Sequence, residues 1–249
     1  MNFSRRRALQ ALGLSACAAT AAAAQTQLQP AAAATPAIQL RAELDACTPS
    51  GDPLATLLQR NRSFAKAWQR SMQSSDPQER MQIQQAIFET GCHIDPTALA
   101  QGQRPWAALL SCADARVAPE WMFGLGSGEL FQVRVAGNSA FNDGIASLEF
   151  AVAVLKTPLI LVIGHSGCGA VKAAMGKDPL SPLLEDLVQP IRQSLKPGDD
   201  LTKAIQGNAR FAARQLTERS KILADAQAEG QVSIQAAFFD IATGIISLS

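Results

Sequence analysis

Three apolar runs stand out along the chain: Trp106-Ala107-Ala108-Leu109-Leu110, the weaker Leu130 to Val135, and Pro158-Leu159-Ile160-Leu161-Val162-Ile163. A strand that is apolar at every position, rather than every second one, is covered on both faces, as in a parallel sheet with helices on each side. Between the second and third runs, Phe141, Ile145, Leu148, Val152 and Leu155 recur at steps of four and three, the period of one helix face. Strand, helix and strand in that order predict a βαβ crossover. Val232 to Phe239 and Ile245 to Leu248 flank a turn over Asp240 to Gly244 and predict a last pair of strands.

Ahead of the first run the period is helical. Asp52-Pro53 opens a stripe of Leu54, Leu57, Leu58, Phe64 and Trp68, and Asp76-Pro77 opens another of Met81, Ile83, Ile87 and Phe88. Each start pairs a capping carboxylate with Pro at the first helical position. Leu180 to Leu195 and Leu201 to Leu223 predict further helical segments, separated by the breaker Lys196-Pro197-Gly198-Asp199. There is no internal repeat and no second core. The pattern therefore predicts one α/β domain over residues 52–249, a parallel sheet with helices on both faces and an N-terminal helical arm.

Composition agrees with a packed domain, because 47% hydrophobic and 17% charged residues are too apolar for a disordered chain. Charge changes the picture at the N-terminus. Arg5, Arg6 and Arg7 are the only charged residues of the first 24, and an Ala/Leu stretch after them ends at Ala22-Ala23-Ala24. Residues 1–24 read as a signal peptide and imply export to the periplasm. Ser4-Arg5-Arg6-Arg7-Ala8-Leu9 resembles a twin-arginine signal, with Ala8 where that pattern usually has a bulky aromatic residue. A membrane span is disfavoured, since the stretch is short and Ala only weakly apolar. The alternative is a lipoprotein box at Leu14-Ser15-Ala16-Cys17, in which lipidated Cys17 would anchor the protein to the membrane. Residues 25–51 read as a flexible segment. Taking the three leader arginines from 22 basic residues leaves 19 against 21 acidic ones, a net charge of −2 without a basic cluster. That excludes the electrostatic footprint of a nucleic-acid partner and points to a small-molecule substrate.

The chemistry is concentrated in two short motifs. Cys112-Ala113-Asp114-Ala115-Arg116 follows the first buried run, and Gly164-His165-Ser166-Gly167-Cys168-Gly169 follows the third and opens a helix. Ligands of open α/β sheets bind at the carboxyl ends of the strands, where these motifs would meet. Either cysteine alone reads as a small buried hydrophobe and the histidine as a turn residue. Together, two thiolates and an imidazole suit Zn²⁺, and three protein ligands leave a fourth position open. Asp114 has two possible roles, accepting a hydrogen bond beside that position or closing it as a fourth ligand. The Arg116 fork decides between them by holding the carboxylate as a bidentate pair.

These residues resemble the zinc signature of the β-class carbonic anhydrases. The resemblance extends over Gly102-Gln103-x-Pro105, Arg134-Val135-Ala136-Gly137-Asn138, Ser147-Leu148-Glu149-Phe150 and Gly164 to Lys172, with an early Asn61-Arg62-Ser63-Phe64 element. It implies a four-stranded parallel sheet with an added antiparallel edge strand, and a homodimer or homotetramer with sites near the subunit interface. It implies Zn²⁺ on Cys112, His165 and Cys168, with Asp114 and Arg116 beside the open position. Gln103 and the Gly169 N–H are then expected to hold CO₂ or bicarbonate. The activity implied is reversible hydration of CO₂ by hydroxide generated at the metal. Two thiolate ligands make a poorer Lewis acid than three histidines, which favours mildly alkaline pH. Alternatives are hydrolysis of carbonyl sulfide or carbon disulfide on the same fold, or a non-catalytic zinc protein closed by Asp114. The chain departs from the family in its leader, in the Cys92-His93 segment and in having no tyrosine. No histidine proton shuttle is evident unless His93 folds near the site. Cys47 and Cys92 remain as an even pair in a compartment that permits disulfides, and a bridge between them is expected. An accessory metal site at Cys92-His93 is the rival.

Overall fold

All seven residues of the strand Leu159–His165 are buried, as the unbroken apolar run requires of a strand covered on both faces. The computed structural model describes residues 37–89 and 91–249. In chain order these form α1 (Ala37–Leu44), α2 (Pro53–Gln73), α3 (Pro77–Glu89), α4 (Pro96–Gln101), β1 (Ala107–Ser111), α5 (Pro119–Phe123), β2 (Leu130–Arg134) and α6 (Asn142–Ala153). They continue through β3 (Leu159–His165), α7 (Gly169–Met175), α8 (Pro182–Ser194), α9 (Leu201–Arg219), α10 (Lys221–Ala228), β4 (Ser233–Asp240) and β5 (Ile245–Leu248).

The sheet has the order β2-β1-β3-β4-β5, four parallel strands and an antiparallel edge strand. Although the strands are apolar throughout, alternate residues face different helices. Ala108, Leu110, Ile160 and Val162 pack with Leu148 and Val152 of α6 and Ala209, Ala212 and Leu216 of α9. Leu109, Leu159, Leu161 and Ile163 face Leu57 and Phe64 of α2 and Met122 and Phe123 of α5. At about 1.5–3 kcal/mol for each large apolar side chain buried, these two layers dominate the stability.

The arm is keyed to the far end of the chain. Asp52 caps α2 through Leu54 and Ala55 N–H at 3.3 and 3.0 Å, the expected cap before Pro53. Further along α2, Asn61 Nδ2 donates to Gly244 O at 2.9 Å, its Oδ1 accepts from Ile246 N–H at 2.7 Å, and Trp68 Nε1 donates to Ile241 O at 3.0 Å. The β4–β5 turn is thereby fixed against α2.

Two expectations require correction. Leu201 to Leu223 is not one helical segment, because Ser220 ends α9 and begins α10. Its backbone N–H bonds Leu216 O at 3.1 Å while its Oγ accepts from Leu223 N–H at 3.1 Å. Nor are residues 25–51 flexible throughout. Their described part contains α1, and Leu44 and Cys47 are buried against Ile94 and Ala98. A Cys47–Cys92 disulfide, with Cα atoms 5.6 Å apart, closes this arm. The leader, the cleavage position, Cys17 and residues 25–36 lie outside the described residues.

Two stability effects follow from this packing. The double variant Cys47→Ser/Cys92→Ser should unfold at lower urea, by about 2–4 kcal/mol, because the unfolded chain regains the entropy of the loop the bridge closes. An unchanged denaturation midpoint would contradict it. Gly164 lies where β3 meets α9, and a Cβ there would stand 2.8 Å from Ile205 Cγ2 and 3.2 Å from Ile205 O. Gly164→Ala should therefore destabilise by about 1–3 kcal/mol, visible as a lower melting temperature, with His165 displaced next to it.

Candidate metal centre

Register places the ligands. Ser111 of β1 pairs with Ile163 of β3, so Cys112, one residue on, and His165, two residues on, emerge at the same carboxyl edge. Gly167, at φ +68°, turns the chain in the left-handed region that glycine adopts without strain. Cys168 is the residue that caps α7 and points back toward the strand ends. Among the described residues, Cys112, His165 and Cys168 form a buried group whose ligand atoms lie within 4.8 Å of one another.

His165 is held for metal binding. Its Nδ1 lies 3.1 Å from Ser166 O, and a carbonyl can only accept, so Nδ1 carries the proton and Nε2 the lone pair. Nε2 is buried and has no hydrogen-bond partner, an arrangement that costs stability unless something binds it. Ser166 is itself tied to β4: its N–H donates to Phe239 O at 2.9 Å, its Oγ accepts from Ile241 N–H at 3.0 Å, and the Oγ proton faces Asp240 Oδ1 at 3.3 Å.

The sulfurs share one proton. The Cys168 thiol hydrogen-bonds Cys112 and holds it as a thiolate with a pKa lowered to about 4, against the opposing effect of burial; the Gly137 N–H, 3.3 Å from the sulfur, adds to it. Cys168 is correspondingly pushed up, first by Cys112 and then by burial. A divalent cation relieves this competition by allowing both sulfurs to be thiolates. The orphaned Nε2, the soft N/S donors and the close spacing all fit Zn²⁺.

Beside the ligands, Asp114 is engaged by Arg116 on both oxygens. Oδ1 accepts from Arg116 N–H and Nε at 2.9 Å each, and Oδ2 accepts from Arg116 Nη2 at 2.7 Å. This fork holds the Asp114 carboxyl well below the usual carboxylate range despite partial burial. Oδ2 lies 3.8 Å from His165 Nε2, at the edge of the open position. Arg116 is 55% exposed on its side chain against 19% for Asp114, so the carboxylate faces the site and the guanidinium closes it from outside.

Two residues went unassigned in the sequence reading. Arg134, at the end of β2, donates to Cys112 O at 3.1 Å, Asp114 O at 2.9 Å and Val117 O at 2.6 Å, and so shapes the whole Cys112–Val117 loop. A charged residue closing an apolar run was its signal. Asn208 of α9 donates to Gly137 O at 2.7 Å, and its signal was a polar residue on the buried stripe Ala204, Ile205, Ala209 and Ala212.

Gly169 is the first residue of α7, beside Cys168, with open space where a Cβ would be. Gln103 is elsewhere. It precedes β1, at the amino ends of the strands, among Leu40, Arg41, Val154 and Lys156. The five-residue strand between it and Cys112 spans roughly 16 Å, so Gln103 does not reach the metal ligands of its own chain. His93 is also remote, near Gly126 in the loop before β2.

Fold and site together define a zinc protein with its metal at the carboxyl edge of a parallel α/β sheet. A family model for carbonic anhydrase matches residues 107–246. The chain is 37% identical to a carbonic anhydrase of Mycolicibacterium smegmatis over 161 residues, 61% of this chain and 78% of that one. It is 36% identical to carbonic anhydrase 2 of Mycobacterium tuberculosis over 155 residues, 59% of this chain and 75% of that one. Its fold matches that of the Coccomyxa β-carbonic anhydrase, solved in complex with acetazolamide, with a TM-score of 0.55 and 26% identity over 80% of this chain and 86% of that one. The chain belongs to the carbonic anhydrase family, in its β class.

Proposed function

We propose that the protein catalyses the zinc-dependent, reversible hydration of CO₂ to bicarbonate and a proton. The observation that carries this is the buried, unpartnered His165 Nε2 grouped with two cysteine sulfurs beside a carboxylate locked by arginine. When bound, zinc supplies the Lewis acidity that makes hydroxide available near neutral pH.

The chain supplies orientation. Asp114, ionised and immobile, offers Oδ2 to the hydrogen of the attacking hydroxyl and turns the oxygen lone pair toward the carbon of CO₂. Arg116 prevents Asp114 from collapsing onto the ligands. The Gly169 N–H, at the start of α7 beside Cys168, would hold an oxygen of CO₂ or of product bicarbonate.

A homodimer or homotetramer belongs to the same reading. Strand β2 forms a free sheet edge, and Phe150 and Val154 beside it are 46% and 59% exposed. Gln103 shares its shallow groove with Val154, so it borders the patch that a second copy would cover. Export to the periplasm is also proposed. It is supported by Arg5-Arg6-Arg7 before the Ala-rich stretch and by the Cys47–Cys92 disulfide, which suits an oxidising compartment. A mature N-terminus at Gln25 would support cleavage there, whereas an acylated Cys17 would identify a lipoprotein.

The activity is tested on the chain beginning at Gln25, with its zinc content measured, by stopped-flow CO₂ hydration from pH 7 to 9. Zinc-dependent turnover that rises with pH is expected. A zinc-replete protein inactive across that range would overturn the proposal.

A further inference from the structure

We propose that Asn208 is a positioning residue for the metal centre, holding the Gly137 carbonyl so that the Gly137 N–H stays aimed at Cys112 Sγ and tempers how strongly that thiolate donates to zinc. This rests on the metal reading above.

The geometry runs from α9 to the sulfur in two hydrogen bonds. Asn208 is 1% exposed, and its Nδ2 donates to Gly137 O at 2.7 Å across 71 residues of chain. Its Oδ1 lies 3.4 Å from Ser194 Oγ, whose proton goes to Ile191 O at 2.7 Å. On the other side of the same glycine, the Gly137 N–H lies 3.3 Å from Cys112 Sγ.

Gly137 occupies the third position of a turn closed by Asn138 N–H to Val135 O at 3.0 Å, with φ +79°. This is the signature of a type II turn, which requires a positive φ there. Type I and type II turns differ mainly by a half rotation of the central peptide, here the one carrying the Gly137 N–H. That rotation would turn the N–H away from Cys112. Space alone holds the turn loosely in one sense and tightly in another: a Cβ on Gly137 would stand 2.5 Å from Ile191 Cδ1 and 3.1 Å from Ala170 Cβ, so the site is wedged between α7 and α8, but a glycine can still rotate. Asn208 fixes the carbonyl on the far side of the same α-carbon and so anchors the α-carbon from which the N–H is aimed at the sulfur.

The chemical consequence lies in the sulfur. A hydrogen bond to a thiolate draws charge away from it and lowers its donation to a metal, which is how partners beyond the ligands tune metal sites. With two sulfur ligands in this centre, such a brake keeps the metal a better Lewis acid.

The test compares wild type, Asn208→Leu and Asn208→Ser, all loaded with cobalt(II), by the near-ultraviolet sulfur-to-cobalt charge-transfer band. Leu keeps the size of Asn without a donor, and Ser is too short to reach Gly137. Both variants should shift the band to longer wavelength, the sign expected of a thiolate that donates more strongly to the metal. Asn61→Leu, which removes a buried amide of α2 far from the metal, should lower the melting temperature without moving the band. A folded Asn208 variant with the wild-type band would overturn the proposal. A cadmium-113-loaded wild type gives a second reading, independent of whether the variants fold: a through-hydrogen-bond coupling between the Gly137 amide proton and cadmium is expected, and its absence would likewise overturn it. Wild type that takes up cobalt without any sulfur charge-transfer band would instead refute the metal reading.

Discussion

Replacing Cys168 by serine is expected to abolish CO₂ hydration, with kcat/KM falling at least about 1,000-fold and zinc no longer retained through gel filtration. The loss is large because the metal depends on this sulfur. It supplies one of only three protein ligands, and an alcohol oxygen is a far weaker zinc ligand than a thiolate. A Lewis acid contributes several kcal/mol to the barrier, and each 1.36 kcal/mol is a factor of ten. Cys168→Ser protein that keeps one zinc per chain and a tenth of its activity would contradict this account. Because the buried pocket accommodates serine without a clash, the variant should still fold, and circular dichroism provides that check.

The second large effect is at Arg116. Arg116→Ala should retain zinc yet lose about 100-fold or more in kcat, the scale on which a positioned proton-handling group acts. Without the fork, both Asp114 oxygens lose their donors apart from the backbone N–H, and the carboxylate is free to swing onto the open position, from which Oδ2 already stands 3.8 Å from His165 Nε2. Arg116→Lys should restore only a small part of the activity, since an ammonium cannot make the bidentate pair. Full activity in Arg116→Ala would remove Asp114 from the mechanism proposed above.

The same pair has a pH signature. Asp114 has a folded pKa depressed mainly by the Arg116 hydrogen bonds. Its contribution to stability is therefore complete above the ordinary Asp pKa near 3.9 and is lost as pH falls through the lower folded value. Wild type and Arg116→Ala should differ in urea midpoint at neutral pH and converge only in strong acid. Any fall of activity between pH 8 and pH 7 then originates elsewhere than in protonation of Asp114.

The sheet was legible because its strands are buried on both faces, and nothing but Leu159 to Ile163 in an unbroken apolar run was needed to place β3. The ligand set was legible for a similar reason, since both cysteine motifs fall just past such runs. What escaped the sequence was whatever depends on partners distant in the chain. The helices Pro96–Gln101 and Pro119–Phe123 are too short to display a helical period. The break at Ser220 is invisible in an apolar stripe that continues through it. Gln103 lies in a motif shared with the family, and only strand direction reveals that it stands at the wrong end of its own sheet. Asn208 looked like one more polar residue in a helix until the fold brought it to Gly137.

The four cysteines of the described residues raise a problem of sequence in time. Four thiols can pair off in three ways, and Cys92 is closer along the chain to Cys112 than to Cys47. Only the Cys47–Cys92 pairing leaves the centre able to bind zinc. Metal seated on Cys112 and Cys168 before an oxidant arrives acts as a protecting group, masking the two nucleophiles that must stay reduced and leaving one pair for oxidation. Where thiols are oxidised, such masking removes the two ligand cysteines from the pairing choice and leaves Cys47 and Cys92 to each other.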